Sequence, residues 1–309
     1  MPLQLTEWHR AFRQKKEEEM YKKRIIMFLM IVLGALGLIS CGKEPEAKEE
    51  AVKETAVYKK IVVLDPAVVE MLYLLNAEDR IAAVAHSQTT GIWPEDKTKD
   101  LPDVGTLAKP SLEKIISFSP DLVVLSIHST GLAKDLEAHG IKTVSFPANS
   151  FDDIFNNFLE VGKLIGKENE AQKITAEKKE KLEEIKKSEP LNKKGAFIYS
   201  ASPMMAFGEN SLPGEVLKIY GVENLTDKVK GERPILTPEY VIEENPDFLL
   251  VGLGVSSEDE IVTANPQLKD TNAVKNKNII KVNSQALLRG SPRIVDETMN
   301  LYEEIKNLK

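Results

Sequence analysis

The chain has 309 residues, of which 42% are hydrophobic and 29% charged, with a single cysteine and a formal net charge of −7. One cysteine, Cys41, excludes an intramolecular disulfide. Seven basic and four acidic residues precede Cys41, leaving 34 and 44 after it, a net charge near −10 that argues against a nucleic-acid partner.

Taken in chain order, residues 1–19 form a charged preface, and Met20-Tyr-Lys-Lys-Arg reads as an ordinary signal start. Met20 is therefore the expected start, with an unusually long n-region as the alternative. Lys22-Lys23-Arg24 leads into an apolar run over 25–39, a secretory signal pattern. The run falls short of the roughly 20 apolar residues that span a bilayer. Cys41 stands where it stops, and this junction resembles the lipobox of bacterial lipoproteins. The resemblance implies a lipidated Cys41 as first mature residue, holding the protein at a membrane surface outside the cytoplasm. A spare thiol beside an uncleaved signal anchor is the alternative. Residues 1–40 are thus read as signal, and 41–56 as the lipidated Cys and an acidic tether of Lys, Glu and Ala, too polar to fold alone. The remaining 250 or so residues suffice for two domains with cores of their own.

Two stretches, 111–125 and 237–251, follow one plan. A hydroxyl residue (Ser111, Thr237) precedes a glutamate by two (Glu113, Glu239), Pro-Asp follows seven residues later, and an apolar run closes the unit. Ser111 and Thr237 are expected N-caps of two-turn helices, and Pro120-Asp121 and Pro246-Asp247 turn the chain into buried strands. The repeat extends outward. A strand at 61–64 and helix over 65–76 match a strand at 196–199 and helix over 211–220. A strand at 143–146 and helix over 151–165 match a strand at 279–282 and helix over 294–308. Between the copies, 168–188 lacks Gly and Pro and is rich in Ala, Gln, Lys, Glu and Leu, the composition of one continuous helix. The expected fold is α/β: two doubly wound lobes, 57–166 and 190–309, joined by one long helix over 167–189, with a ligand cleft between the carboxyl ends of their strands.

Leu101-Pro-Asp-Val-Gly105, Pro110-Ser-Leu-Glu-Lys-Ile115, Ser119-Pro-Asp-Leu-Val123, Gly221-Val-Glu-Asn224 and Gly290-Ser-Pro-Arg-Ile294 resemble the iron-siderophore, haem and cobalamin binding family of ABC-importer substrate-binding lipoproteins. The resemblance covers about 59–308. It implies a monomeric protein that captures an iron complex, siderophore or haem, and hands it to an ABC permease powered by an ATPase. A corrinoid is the alternative ligand, weakened because the places where that branch frames the corrin with aromatics hold Leu107 and Ala286 to Leu288. The iron complex is cargo, so no resident cofactor is expected. The family docks one exposed glutamate per lobe onto arginines of the permease. The matching positions are Glu113 and Glu239, where a first-turn carboxylate is favoured by the helix dipole and points outward.

Ligand residues are expected on loops after strands: 86–93, 106–109, 126–131, 202–207 and 285–293. His86 and His128 are candidate iron ligands, Met204 or Met205 a soft haem ligand, and Arg289 a partner for a propionate or anionic siderophore. Trp93 and Phe207 could stack on a planar ligand, and Arg293 is expected to pair structurally. Each has a plainer reading, a hydrogen-bonded surface histidine or a core-filling methionine. A metalloenzyme built on His86, His128, Asp65 and Glu209 is the alternative to binding. The chain has no HExxH, no Gly-rich phosphate loop, no G-x-S-x-G and no cysteine beyond Cys41, so no catalysis is expected. A surface adhesin reusing the fold would leave the docking glutamates without a purpose.

Overall fold

In a computed structural model the described residues are 57–87, 90–231 and 233–308. The expectations placed on 1–56, namely the start at Met20, the signal, lipidation of Cys41 and the tether, lie outside them.

The first lobe is built on six strands: β1 (Ile61–Val63), β2 (Ile81–His86), β3 (Asp103–Thr106), β4 (Lys109–Pro110), β5 (Leu122–Leu125) and β6 (Lys142–Ser145). Their spatial order is β4-β3-β2-β1-β5-β6, parallel except for the β3–β4 pair. Helices α1 (Pro66–Leu74), α2 (Glu95–Thr98), α3 (Leu112–Ser117) and α4 (Ala133–Ala138) make the crossovers. Alternate residues of β1 and β5 serve opposite faces. Val62, Val123 and Leu125 pack with Ile115 and Leu136, whereas Ile61, Val63 and Val124 pack with Val68, Met71 and Leu72 of α1. Both faces are covered, which is why these strands read as unbroken apolar runs.

Two long helices follow, α5 (Phe151–Ile165) and α6 (Glu168–Lys187), closed by Gly166 at φ +69°. Their approach is close: a Cβ on Gly162 would come within 2.6 Å of the Ala171 Cβ. Both helices serve both cores. Phe151, Ile154 and Phe155 of α5 join the second lobe's core while Phe158, Val161 and Ile165 join the first, and Ala171 and Leu182 of α6 divide the same way. One long helix, α6, carries the chain from the first lobe to the second, with α5 packed along it and reaching into both cores. Sequence periodicity assigned α5 wholly to the first lobe because it shows which face is apolar and not which core receives it.

The second lobe holds β7 (Lys194–Ala201), β8 (Met204–Ala206), β9 (Glu223–Asn224), β10 (Phe248–Val251) and β11 (Ile279–Lys281), in order β11-β10-β7-β8, with β9 parallel to the start of β7. Its helices are α7 (Leu212–Ile219), α8 (Pro238–Glu244), α9 (Glu258–Ala264), α10 (Asn272–Lys275), α11 (Ser284–Leu288) and α12 (Ile294–Lys306). The sheet is mixed, since β8 turns back antiparallel on β7. Lys178 and Lys181 of α6 both pair with Asp296 of α12, at 2.7 and 3.0 Å, and tie the bridge to the end of the chain. Among the described residues no helix is long and apolar enough to cross a membrane.

The repeated unit folds as its sequence predicts. Ser111 Oγ accepts from the Lys114 N–H and Thr237 Oγ1 from the Tyr240 N–H. Asp121 accepts from the N–H groups of Lys59 and Lys60, and Asp247 from that of Lys194. Each Pro-Asp thus fastens its own strand to the first strand of its lobe.

Candidate functional site

The carboxyl ends of the parallel strands in the two lobes open on a cleft of about 370 Å³. Asp65 and Pro66 follow β1, Ile127 and His128 follow β5, and Pro147 and Ala148 follow β6. Leu253 after β10 and the segment Ser284–Gly290 after β11 line the opposite wall. This is the position at which open α/β sheets hold ligands. A larger hollow of about 800 Å³ lies against α5, α6 and α7, among Lys179, Lys186, Lys218, Asp152, Glu183 and Glu215. It is lined largely by helix flanks with charges of both signs, whereas the smaller cleft gathers strand ends of both lobes and is the candidate site.

A tight turn presents His128. The Ser129 hydroxyl accepts from the Ser126 N–H at 2.8 Å and lies 3.1 Å from the Ser126 hydroxyl, and both serines are buried. The two residues between them, Ile127 and His128, are left exposed, with Ile127 at 68%. Leu253, 50% exposed, stands on the other wall. These two exposed apolar side chains line the cleft from opposite lobes.

The floor is charged. Arg289 donates from Nη2 to the Gly91 carbonyl at 2.8 Å and to Thr90 Oγ1 at 3.3 Å, while its Nη1 is buried without a partner among the described residues. Burial pulls the Arg289 guanidinium below its usual range, against the pull of Glu70 and Asp65. Asp65 is the N-cap of α1 and accepts from the Ala67 N–H at 2.9 Å. Burial pushes its carboxyl up to about 6, opposed by the Ala67 N–H, Arg289 and His128 and assisted by Glu70. A raised carboxyl and an incompletely bonded arginine lining one cleft make Asp65 and Arg289 candidates for a functional role.

Behind the floor the lobes are fastened together. Glu70, 1% exposed, accepts from the Ser291 hydroxyl at 2.6 Å and pairs with Arg293 Nη1 at 3.2 Å. Arg293 stacks at 4.2 Å on the Trp93 ring. Gln285, with its amide oriented to match, exchanges two hydrogen bonds of 3.2 Å with Gly91. Gly290 is needed here, because a Cβ would meet Ala148 of the other lobe at 2.9 Å.

Of the expected ligand residues the cleft collects His128 and Arg289. Trp93 is not on its wall, and one ring face is already covered by Arg293, the structural pairing expected of that arginine. His86 ends β2 half-buried, its carbonyl bound by the Leu107 N–H, and lies off the cleft wall. Met204 is 3% exposed in the core of the second lobe, and Phe207 packs at 4.7 Å on Tyr199 and 5.2 Å on Phe197. The segment 202–207 fails as a cleft loop because β7 reverses directly into the β8 hairpin, which carries the chain into the core. Asp65 and the stretch 146–148 were passed over as ligand residues, although the strand-end rule applied to 61–64 and 143–146 points to both. Among the described residues no group of three or more His, Cys, Asp or Glu could hold a metal ion.

The model of the periplasmic binding protein family matches residues 61–286. The chain belongs to that family. Relatives include the uncharacterized ABC transporter substrate-binding lipoprotein YvrC of Bacillus subtilis (strain 168), 26% identical over 92% of this chain and 98% of that one. The petrobactin-binding protein YclQ of the same organism is 27% identical over 73% of this chain and 75% of that one. A crystal structure of a possible iron-binding (periplasmic solute-binding) protein from Staphylococcus epidermidis ATCC 12228 superposes with a TM-score of 0.70 at 27% identity, over 80% of this chain and 98% of that one. As in the family, the fold is two-lobed. Glu113 and Glu239 occupy matching places in α3 and α8, both exposed and neither in an ion pair among the described residues.

Proposed function

We propose that this protein captures an iron complex, a siderophore or haem, in the interlobe cleft and delivers it to an ABC permease. The observation that carries this reading is the cleft itself. Apolar lips from both lobes, Ile127 and Leu253, surround a floor with one arginine amino group, Arg289 Nη1, left over, which suits a ligand with a greasy edge and an anionic donor group. The names of YclQ and of the Staphylococcus protein support iron cargo. The complex is cargo, no resident cofactor takes part, and the chain binds rather than catalyses. His128 and Arg289 are its polar contacts in the cleft. The protein works outside the cytoplasm as a monomer anchored by lipid on Cys41, and Glu113 and Glu239 seat it on the permease, whose ATPase drives release.

The full chain in detergent solution, titrated with haemin, a ferric catecholate, a ferric hydroxamate and cobalamin, tests the reading through quenching of tryptophan fluorescence. Saturable binding of one iron complex is expected, weakened about tenfold or more by Arg289→Ala. Cobalamin binding alone would reject iron as the cargo, and no binding by any of the four would reject the cleft as the capture site.

A further inference from the structure

This inference rests on the cleft being the capture site. Among the described residues three titratable side chains line it: Asp65, His128 and Arg289. Only Asp65 is negative. Its carboxylate is held by a single donor, the Ala67 N–H, and its second oxygen accepts nothing among the described residues. No ion pair forms between Asp65 and Arg289, although they share the floor, and Arg289 Nη1 is likewise unspent. A helix N-cap does not need a carboxylate, because Ser or Asn serves as well. The equivalent first helix of the second lobe, α7, is capped by Ser211. An acidic cap at the floor of a cleft meant for anions therefore asks for a separate reason.

We propose that Asp65 is the charge-selectivity residue of the cleft: a polyanionic complex that engages Arg289 binds more tightly when Asp65 takes up a proton, whereas an uncharged complex binds equally well without one. The groups facing Asp65 are Glu70 on its own helix, His128 on the turn after β5, and Arg289 from the other lobe. Glu70 is engaged by Ser291 and Arg293, so it does not supply the proton donor. Burial already brings the Asp65 carboxyl to about 6, within reach of protonation near neutral pH. An anion set against Arg289 raises it further, and by reciprocity protonation tightens anion binding by the same factor. A further rise of one pH unit corresponds to about tenfold in affinity.

The test compares the full-length wild type with Asp65→Asn, a change that keeps the helix cap. Affinities are measured at pH 5.0 and 7.5 for haemin, ferric citrate and an uncharged ferric trihydroxamate. The variant-to-wild-type ratio cancels each complex's own protonation. At pH 7.5 the variant is expected to bind the anionic complexes about tenfold tighter, with the ratio falling to near one at pH 5.0. For the uncharged complex it stays near one at both. Calorimetry in two buffers of different ionisation heat should find more proton uptake with the anionic complexes in wild type than in the variant. A ratio near one for the anionic complexes at pH 7.5, or the same ratio for charged and uncharged ones, would mean that Asp65 only caps its helix and would overturn the inference alone. Absence of all binding at both pH values would overturn the capture site and this inference with it.

Discussion

The two lobes start from the same sentence and end in different chemistry. In both, a capped short helix and a Pro-Asp turn lead into a fully buried strand that pairs with the first strand of its lobe. They part at the first strand. β1 is three residues long and passes straight into α1, so the cap Asp65 lands at the cleft. β7 is eight residues long, turns back through β8, and does not reach α7 until Leu212, so its cap Ser211 lies off the cleft. The second lobe compensates with the segment after β11, whose Arg289 crosses to the first lobe's 90–91 loop. The duplicated frame gives strength and symmetric outer surfaces. The candidate ligand site lies where the duplication lapses.

The outer surfaces provide the sharpest test of what stayed equal. Glu113→Arg with Glu239→Arg should abolish uptake while leaving ligand affinity unchanged, since neither residue touches the cleft. Single variants should each lose most of the uptake if the lobes dock as equals. Persistent uptake in the double variant, measured with a radiolabelled iron complex in whole cells, would show that docking uses another surface.

The seam between the lobes comes next in size. Glu70→Ala leaves Ser291, buried at 0% exposure, and Arg293 without their carboxylate. A loss of about 3 kcal/mol in urea unfolding is expected, the range for breaking a buried pair. Glu70→Gln, which keeps an acceptor for Ser291, should lose less than half of that. Equal losses would mean that charge rather than hydrogen bonding holds the seam.

Asp65 should have the opposite sign. Its carboxyl titrates near 6 in the folded chain against 3.8 ordinarily. The folded state therefore binds the proton more tightly, so stability is undiminished below about pH 4, falls as the pH rises towards 6, and stays lower above it. The full penalty is about 2 to 3 kcal/mol. Asp65→Asn should accordingly stabilise the protein by about 2 kcal/mol at pH 7.5 and by almost nothing at pH 4, as read from thermal unfolding. Stabilisation of the same size at both pH values would move the cause from charge to packing.

These sites differ in how legible they are before folding. The strands and caps could be read because their signals are local: alternating burial faces, Ser or Thr before a helix, Pro-Asp before a strand. His128 and Arg289 emerged from the strand-end rule, which needs only topology. The errors arose wherever a partner is distant in sequence. Trp93 looks like a free aromatic until Arg293, 200 residues later, lies on its face. Met204 and Phe207 look like loop residues until the β8 hairpin folds them inward. α5 looks like a first-lobe helix until Phe151 and Phe155 enter the other core. Asp65 was visible at a strand end, and its capping role hid the second one.

The smallest effect separates the two Pro-Asp turns themselves. Asp121 receives two backbone N–H groups, from Lys59 at 2.7 Å and Lys60 at 3.1 Å, yet is exposed. Asp247 receives one, from Lys194 at 2.7 Å, and is half-buried. Replacing either by Asn keeps an acceptor and removes the charge, which should lower stability by about 1 kcal/mol or less. If the number of bonds governs, Asp121→Asn loses more. If exclusion of water governs, Asp247→Asn does, and that is the expected order, because an exposed carboxylate already competes with solvent for its donors. Urea midpoints of the two variants at unchanged slope decide it. The reverse order would indicate that Lys59 and Lys60, which lead into β1, are fastened by bond count instead.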